Sequence, residues 1–387
     1  MKVALKELGT IITGNTPSKR ETRYWDSDDI CFVKPDIISE DGITDLYRSN
    51  EHISEYARNK ARIVTKDSLF VTCIGSIGKI GLVSADEMAF NQQINAIIPN
   101  EKILPRYLAY SLLRAQSRLQ AIANAPVVPI INKTQFGDFL INYNPDKEKQ
   151  SSIVKILDSV DNIIKIKKRE MKAFDDLIKA RFVEMFGDPI VNPKSWIKLQ
   201  LQQLVSQDCS ISYGIVQTGD DVENGIPVFR PVDIVGRIPN RAELKRTARQ
   251  ISERYKRTVL KGRELLITVR ANIADTFIAG TEFTGCNVGR GIVPIRTDES
   301  KIRLEFLKAL IDCEVINRHI KSLAKGITLI QLNMEDLRTI ELIVPPVSLQ
   351  DEYIRLYKEV DKSKVVVQKS LEQTKLLFDS LVQQYFG

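Results

Sequence analysis

Two stretches of this sequence open in the same way and decide the fold. Residues 145–150 read Pro-Asp-Lys-Glu-Lys-Gln and begin a long helical pattern that ends at Met185-Phe186-Gly187. Residues 345–350 read Pro-Pro-Val-Ser-Leu-Gln and begin a similar pattern that ends at Tyr385-Phe386-Gly387. A single offset over such a length indicates an internal repeat. The residues that recur 200 positions later are Pro145, Gln150, Val160, Asp161, Leu177, Phe186 and Gly187.

The repeat continues upstream with small changes of spacing. Ile53-Ser54-Glu55-Tyr56 matches Ile251-Ser252-Glu253-Arg254-Tyr255, Asn91 matches Asn287, and Tyr107-Leu108 matches Phe306-Leu307. These offsets run from 196 to 200 residues, as short loop insertions would produce. Each copy is therefore predicted to be a whole domain followed by one long helix.

Short runs of β-forming residues dominate both predicted domains. Leu69-Phe70-Val71-Thr72 and Leu265-Leu266-Ile267-Thr268-Val269 are examples, and Gly, Pro, Asn and Asp separate such runs. The predicted fold class is α+β: two mixed α/β, mostly-β domains in tandem, joined by two long antiparallel coiled-coil helices. The predicted bounds are 1–144 and 196–345 for the domains, 145–187 and 346–387 for the helices, and 188–195 for a linker.

The two long helices carry apolar residues in alternating steps of three and four, which is the pattern of a coiled-coil seam. At 1.5 Å per residue each helix is about 60 Å long, and a narrow apolar seam of that length needs a partner. We expect the two helices to pair with each other, and the alternative is that each packs only on its own domain. The predicted pairing residues are Ile153, Ile156, Val160, Ile163, Phe174, Phe182, Leu356, Val360, Val367, Leu377 and Leu381.

Composition limits the possible functions. The five cysteines are scattered and there are only two histidines, which argues against a disulfide framework, a zinc site or a His-based catalytic triad. With no membrane-length apolar run and no apolar signal core at the start, a reducing cytoplasm is expected.

The net charge of +7 is concentrated in one stretch. Between Arg241 and Arg263 nine residues are basic and two are acidic, an excess equal to that of the whole chain. Such a run is either a solvated face or the footprint of a polyanion such as DNA.

Motifs for catalysis are near misses. Gly75-Ser76-Ile77-Gly78-Lys79 is too short for a P-loop and is followed by Ile80 rather than Ser or Thr. Pro145-Asp146 with Glu170-Met171-Lys172 matches a nuclease pattern only formally, since Glu170 and Lys172 lie in the middle of a predicted helix. The sequence therefore predicts no catalytic residue, no metal site and no bound cofactor.

Polar loops at corresponding places in the two copies are candidates for DNA contact. Glycines let backbone amides approach phosphates, whereas Arg, Asn and Gln can read base edges. Each of these residues could also be a satisfied turn residue, but the copies agree in scaffold positions and differ in these polar positions. The candidates are Lys19, Arg20, Gly75, Ser76, Lys79, Asn91, Gln92, Gln93, Arg230, Lys245, Arg246, Arg270, Asn272 and Arg290.

These residues together resemble the specificity subunit of a Type I restriction–modification system. The resemblance covers nearly the whole chain and rests on the Leu69 to Val83 run, on Asn91-Gln92 and on the Pro345-Pro346…Gln350 helix start. The first copy lacks the second proline, and the second has Ala271-Asn272-Ile273-Ala274 in place of the glycine turn, so a phosphate-binding role is not predicted for that turn.

The resemblance implies a non-catalytic subunit of which each domain reads one half of a split double-stranded DNA target. It implies that the helix pair sets the spacing and holds two methylation subunits, and usually restriction subunits, so that S-adenosylmethionine and ATP would bind only in the partners. Two alternatives stay open: a coiled-coil scaffold that binds only proteins, and an enzyme such as a fused restriction endonuclease.

Overall fold

The computed structural model describes residues 1–123, 128–236, 239–326 and 330–387. They form two compact units. The first consists of Met1–Arg169 together with Gln368–Gly387, and the second of Glu170–Val367. Each unit therefore contains part of both long helices.

The first unit is built mainly from short strands. Its last long helix, α5, begins in this unit and continues into the sequence of the second. The elements are β1 (Lys2–Ala4), α1 (Leu5–Leu8), β2 (Gly9–Thr13), β3 (Ile30–Val33), β4 (Ile43–Leu46), β5 (Glu51–Ile53), β6 (Ile63–Thr65), β7 (Leu69–Thr72), β8 (Ile80–Val83), β9 (Glu87–Phe90), β10 (Ile94–Pro99), α2 (Pro105–Arg114), α3 (Gln116–Ile122), α4 (Lys133–Asp138), β11 (Leu140–Asn142) and α5 (Lys147–Phe186).

The second unit has the same order of principal elements. Its final helix, α11, contributes its last residues to the first unit. The elements are β12 (Ile197–Gln200), β13 (Ile226–Phe229), α6 (Pro231–Ile234), β14 (Arg246–Thr247), α7 (Arg249–Glu253), β15 (Glu264–Arg270), β16 (Asn272–Ala279), β17 (Asn287–Val288), β18 (Ile292–Ile295), α8 (Leu304–Asp312), α9 (Glu314–Leu323), α10 (Met334–Arg338), β19 (Glu341–Val344) and α11 (Val347–Phe386).

Strand pairing repeats between the units. In the first, β7 lies antiparallel between β8 and β10, β3 pairs with β9 in parallel, and β1 pairs with β11. In the second, β15 lies antiparallel between β16 and β18, β13 pairs with β17 in parallel, and β12 pairs with β19. The first unit adds β2 and β4 to the edges of its main sheet. The sequence repeat is thus a repeat of topology.

The shared helix start depends on a buried glutamine. Gln150 is fully buried, and its Oε1 accepts a hydrogen bond from the Leu104 amide at 2.8 Å while its Nε2 donates to the Lys102 and Asn144 carbonyls. Gln350 is equally buried and makes the same three contacts, with the Arg303 amide at 2.8 Å and the Lys301 and Pro345 carbonyls. Because buried backbone groups need partners, this side chain ties the start of the long helix to the start of α2 or α8.

In the first unit, one face of α5 and the end of α11 close the domain core. Leu157, Val160 and Ile164 belong to the same buried cluster as Phe378 and Val382. Lys167 Nζ also donates to Ser370 Oγ at 2.8 Å. The predicted pairing residues Ile153 and Leu381 are partly buried against this core.

The packed face in the first unit differs by one residue from the predicted seam. The side chains of Ile156, Ile163 and Leu377 are 42%, 44% and 51% exposed. Leu157, Ile164 and Phe378, the residues that follow them, are buried instead. Each predicted position is thus the first of an adjacent apolar pair. The second member packs because α2 also contributes to this core, with Tyr110 lying 6.0 Å from Phe378 between ring centroids.

In the second unit, the two helix segments pack in antiparallel order. Lys364 Nζ lies 2.6 Å from Asp175 Oδ1, and Arg181 Nη2 lies 2.9 Å from Glu352 Oε1, so the contacted residue number on α11 falls as α5 advances. Phe182 is buried against Tyr353, at 5.6 Å between ring centroids, in a cluster that also contains Phe186 and Phe306. Among the other predicted pairing residues, Val360 is buried, and Phe174, Leu356 and Val367 are half-buried.

None of the helices in the described ranges combines the length and the apolar character needed to cross a membrane.

Candidate nucleic-acid interface

The turn after β7 and the turn after β15 have left-handed residues at the same two positions. Gly75 and Gly78 have φ angles of 75° and 86°, and Ala271 and Ala274 have φ angles of 62° and 64°. The left-handed region is unfavourable for alanine, so the second copy keeps the turn without the residue that suits it best. The substitution of glycine by alanine therefore does not remove the left-handed conformation at these two positions.

Hydrogen bonds around the two turns also correspond. The Lys79 amide donates to Thr72 Oγ1 at 3.0 Å, and the Asp275 amide donates to Thr268 Oγ1 at 2.9 Å. In this pairing Lys79 and Asp275 occupy the same place. The sign of the charge at this position is thus opposite in the two units.

A second segment lies beside each turn. The Gly75 amide donates to the Pro129 carbonyl at 3.0 Å, and the Ala271 amide donates to the Ile330 carbonyl at 3.1 Å. The residues adjacent to these form isolated antiparallel bridges: Ile74 pairs with Ile130 in the first unit, and Arg270 pairs with Gln331 in the second. We call these two the bridge pairs. They occupy one place in a shared backbone, and one pair is apolar while the other is polar.

The loop between β9 and β10 exposes one polar side chain and buries another. Asn91 is 5% exposed. Its Nδ2 donates a hydrogen bond to Gln93 Oε1 at 2.8 Å, and its Oδ1 accepts one from the Gln93 backbone amide at 3.1 Å. Gln92 is exposed and its Oε1 accepts from Thr16 Oγ1 at 2.7 Å. Asn91 therefore shapes the loop, while Gln92 is available at its surface.

The counterpart of Asn91 is Gly289 rather than Asn287, which corrects the alignment made from sequence. The Asn91 amide donates to the Val33 carbonyl, and the Gly289 amide donates to the Phe229 carbonyl, at 3.1 and 2.8 Å. By the same pairing Arg290 stands where Gln92 does. Gln92 is exposed and Arg290 is half-buried, and the two copies differ at this position.

Asn287 serves the interior. It is fully buried, its Oδ1 accepts from Thr258 Oγ1 at 2.7 Å, and its Nδ2 donates to Ser252 Oγ at 3.0 Å. The two asparagines look alike in sequence because each lies close to a parallel-paired strand, but their positions in the ladder differ.

The basic candidates of the first unit differ in how exposed their side chains are. Lys19 is exposed, with its Nζ 3.9 Å from Glu51 Oε2 and 5.4 Å from the centroid of the Trp25 ring, and Arg20 is also exposed. The Lys79 side chain is only 13% exposed, and its Nζ lies 3.4 Å from Glu40 Oε1. Gly75 and Ser76 are exposed beside it.

Several basic candidates of the second unit already have internal partners. The Arg230 guanidinium donates to both carboxylate oxygens of Asp233, and this hydrogen bond raises the Arg230 pKa. Lys245 Nζ donates to the Gly219 carbonyl at 2.6 Å, and Arg246 Nη1 to the Gly225 carbonyl at 3.4 Å. These three side chains stabilise loops.

In the run from Arg241 to Arg263, some basic side chains have partners within the unit and others do not. Arg241 donates to the Thr284 carbonyl at 3.1 Å, Lys261 Nζ lies 2.5 Å from Asp208, and Arg263 lies 3.0 Å from Glu305. The members that are exposed and have no side-chain hydrogen bond or ion pair within the described residues are Arg249, Arg254, Lys256 and Arg257. Only this part of the run offers free positive charge.

Arg270 and Gln331 form the most distinctive polar group. In the described part of the chain the Arg270 side chain has no hydrogen-bond partner, and its Nε is buried. Gln331 Nε2 donates to the Tyr213 hydroxyl at 2.8 Å, and that hydroxyl donates to the Leu332 carbonyl at 3.3 Å. Asn272 and Arg290 are accessible in the same unit.

Sequence reasoning missed Gln331, Tyr213 and Ile130. A signal was present in the asparagines that follow the bridge pairs, because Asn132 caps α4 and Asn333 caps α10, 201 positions apart. Extending the repeat to these caps would have aligned Ile130 with Gln331.

Among the described residues, no group of three or more His, Cys, Asp or Glu side chains is arranged to hold a metal ion. The donors at the loops are backbone amides, amide side chains and guanidinium groups, which bind phosphates and base edges.

Comparison with known proteins gives a consistent result. The family model for the Type I restriction modification DNA specificity domain matches residues 1–173 and 215–374. The chain is 22% identical over 406 aligned residues to the MjaIX specificity subunit of Methanocaldococcus jannaschii, covering 98% of this chain and 90% of that one. It is 24% identical over 208 residues to the EcoBI specificity subunit of Escherichia coli, which covers 53% of this chain and 44% of the relative.

Solved structures share the fold. The S subunit of a Type I restriction–modification system from M. genitalium has a TM-score of 0.58 at 14% identity, covering all of this chain and 96% of that one. A chain from a study of complex assembly in the type I R-M system has a TM-score of 0.59 at 17% identity, with coverage of 100% and 97%. The predicted fold class is confirmed. Since the family model covers most of its length in two segments, the chain belongs to the family of type I restriction–modification DNA specificity subunits, which have two recognition domains and no catalysis of their own.

Proposed function

We propose that this chain directs a type I restriction–modification complex to a DNA target made of two specific segments, one read by each recognition domain. The observation that carries the proposal is the shared backbone of the two loop regions, which holds different side chains in each unit. Ile74 and Arg270 correspond, as do Gln92 and Arg290. A duplicated backbone with different side chains at its loops suits two domains that recognise different DNA sequences better than two domains that bind the same sequence.

The free cations support contact with DNA. Arg254, Lys256 and Arg257 are exposed and unpaired within the described residues, and phosphate contacts of this kind provide affinity without sequence preference. The bridge pairs and the Gln92 and Arg290 positions would add the sequence preference. Affinity and specificity would thus come from different residues.

The long helices would fix the distance between the two half-sites and hold the partner subunits. Apolar side chains remain exposed on α11, with Val365 at 63%, Val366 at 68% and Leu376 at 70%. Exposed apolar residues on a helix are suited to bind another helix. We propose methylation subunits, and restriction subunits where present, as the partners, with S-adenosylmethionine and ATP bound only there.

The direct test is selection from a random duplex library by the complex that this chain forms with its methylation partner. The proposal predicts a consensus of two specific segments around a non-specific spacer of fixed length. Selection of one continuous segment would refute the two-part target, and no enrichment at low salt would refute DNA recognition and favour a scaffold that binds only proteins.

The spacing role has its own test. Removing residues 168–174 and 363–369 shortens both helices by one heptad and keeps the packed faces nearly in phase. This removes about 10 Å, or roughly three base pairs, so the preferred spacer should change or binding should disappear. An active variant with the original spacer would show that the helices do not set the spacing.

A further inference from the structure

The bridge pairs differ in chemistry between the two units. Ile74 and Ile130 present only aliphatic carbons, and Ile130 is 42% exposed. Arg270 and Gln331 present donors and an acceptor on the same backbone positions. The Gly75 and Ala271 amides donate to the facing carbonyls at 3.0 and 3.1 Å, so the two pairs occupy corresponding backbone positions and differ in their side chains.

Arg270 is one of the second unit's arginines that lack a side-chain partner within the described residues. Arg230, Arg263 and Arg296 each lie within 3.1 Å of a carboxylate oxygen. Arg270 has no carboxylate or carbonyl partner in the described ranges, and its buried Nε lacks an acceptor. Arg249, Arg254 and Arg257 also lack a side-chain partner within the described residues, but they are exposed whereas Arg270 is half-buried. A buried donor without an acceptor is unfavourable, so a guanidinium kept in this state is suited to an acceptor from outside the chain.

Gln331 is oriented by its neighbour. Its Nε2 donates to the Tyr213 hydroxyl at 2.8 Å, and the hydroxyl is in turn fixed by the Leu332 carbonyl. This leaves Oε1 and the second Nε2 hydrogen without a partner among the described residues. One acceptor and one donor side by side match the edge of adenine in the major groove.

The position of Arg270 also places it among other candidate residues. A Cβ built on Gly291 would lie 2.5 Å from Pro231 Cγ and 3.6 Å from Arg270 Cβ, so Arg270 packs beside the loop that carries Arg290. The absence of a side chain at Gly291 leaves room for Pro231, while the distance to Arg270 Cβ is that of an ordinary contact. The bridge pair of the second unit therefore adjoins the surface loop that corresponds to Gln92.

We propose that Arg270 and Gln331 are specificity-determining residues of the second recognition domain, with Arg270 selecting a guanine and Gln331 an adjacent adenine through the major groove. Ile74 and Ile130 take this place in the first domain and contact a thymine methyl group there. The inference rests on the proposed function, because it assumes that each domain reads one half-site.

The test compares base preference rather than overall affinity. The wild type, Arg270→Ile, Gln331→Ile and Arg257→Ile are each isolated with their methylation partner and used to select from a library randomised over both half-sites. Arg257 is the matched control because it is an exposed cation of the same unit without a partner in the described chain. Arg270→Lys keeps the charge and removes the guanidinium fork.

We expect Arg270→Ile and Arg270→Lys to lower the preference for guanine at one position of the second half-site by about 10- to 100-fold, the range typical of one bidentate contact. Gln331→Ile should lower adenine preference at a neighbouring position. The first half-site should stay unchanged in every variant, and Arg257→Ile should weaken binding equally for all sequences. Arg270→Lys also covers the case in which Arg270→Ile fails to fold.

The outcomes are separable. If the wild type selects no two-part consensus, the proposed function fails and the inference fails with it. If the wild type does select one and the Arg270→Lys consensus is identical to it, only the inference is overturned. The reciprocal double variant Ile74→Arg with Ile130→Gln should introduce purine preference into the first half-site, and an unchanged first half-site would also overturn it.

Discussion

Gln150 Oε1 accepts a hydrogen bond from the backbone amide of Leu104 at 2.8 Å, and this one side chain joins the start of a 40-residue helix to the start of α2. Gln150→Leu would leave this amide and the Asn144 carbonyl unpaired, whereas the Lys102 carbonyl would keep its hydrogen bond from the Tyr143 hydroxyl. A buried unsatisfied group costs about 1–3 kcal/mol, so we expect the free energy of unfolding of the first unit to fall by about 2 kcal/mol or more. Urea denaturation measures this, with the exposed Gln384→Leu as the control. An equal effect of both changes would contradict the role of the buried amide.

The second prediction concerns the left-handed turn. Ala271 is exposed with a φ of 62°, so Ala271→Gly should raise the free energy of unfolding by about 1 kcal/mol. A Cβ on Gly75 would meet no atom within 4 Å, so Gly75→Ala should cost about the same amount through φ alone. Thermal unfolding of the two variants is the measurement. Ala309→Gly in α8 is the control and should destabilise, because glycine is unfavourable within a helix.

The third prediction tests which face of α5 packs. Ile164 is 9% exposed and Ile163 is 44% exposed. Removing buried methyl groups leaves a cavity, so Ile164→Ala should cost about 2–4 kcal/mol, whereas Ile163→Ala should cost about 0.5 kcal/mol or less. Chemical denaturation measures the free energy of unfolding of the two variants, which have the same amino-acid composition. The reverse order would restore the seam that was predicted from the sequence.

The fourth prediction concerns salt dependence. Replacing Arg254, Lys256 and Arg257 by alanine should weaken binding equally for specific and random duplexes. The slope of log affinity against log salt should fall by about 0.9 for each phosphate that the variant no longer neutralises. The control replaces Lys301, Arg318 and Lys325, whose cations already lie within 4.0 Å of carboxylates. Equal slopes in the two triple variants would show that the exposed cations do not face DNA.

The fifth prediction concerns thiol reactivity. Burial raises the pKa of Cys73 to about 12, so at pH 8 this thiol is almost entirely protonated in the native protein. Since the thiolate is the reactive form, iodoacetamide should modify Cys73 far more slowly than the half-buried Cys31. Peptide mapping measures both rates. In denaturant the two should react alike, and rapid native labelling of Cys73 would contradict its burial.

The repeat was readable from sequence because its signals are local. Gln150 and Gln350 recur at one offset, and each is required by the same three backbone partners. The helix bounds follow from the same pattern, since both long helices begin and end 200 positions apart. A structural feature that depends on local contacts requires the same residue in both copies, so it is visible as a repeat in the amino-acid sequence.

Other features depend on contacts between distant segments. In each of the pairs Ile163-Ile164 and Leu377-Phe378, either apolar residue fits a hydrophobic period of about 3.5. Only the position of α2 decides which of the two is buried. Asn287 resembled Asn91 in type and approximate spacing, but strand pairing assigns them different positions. The partnership of Arg270 with Gln331 spans 61 positions and leaves no periodic trace.

The division of the chain has a consequence for synthesis and truncation. The second unit is one continuous stretch, Glu170–Val367, while the first needs both Met1–Arg169 and Gln368–Gly387. During translation the unit that begins first is therefore completed last, after Phe378, Val382 and Phe386 have been added to its core. A chain that stops after Val367 would leave the core of its earliest-made domain incomplete and keep the sequence of its later one whole.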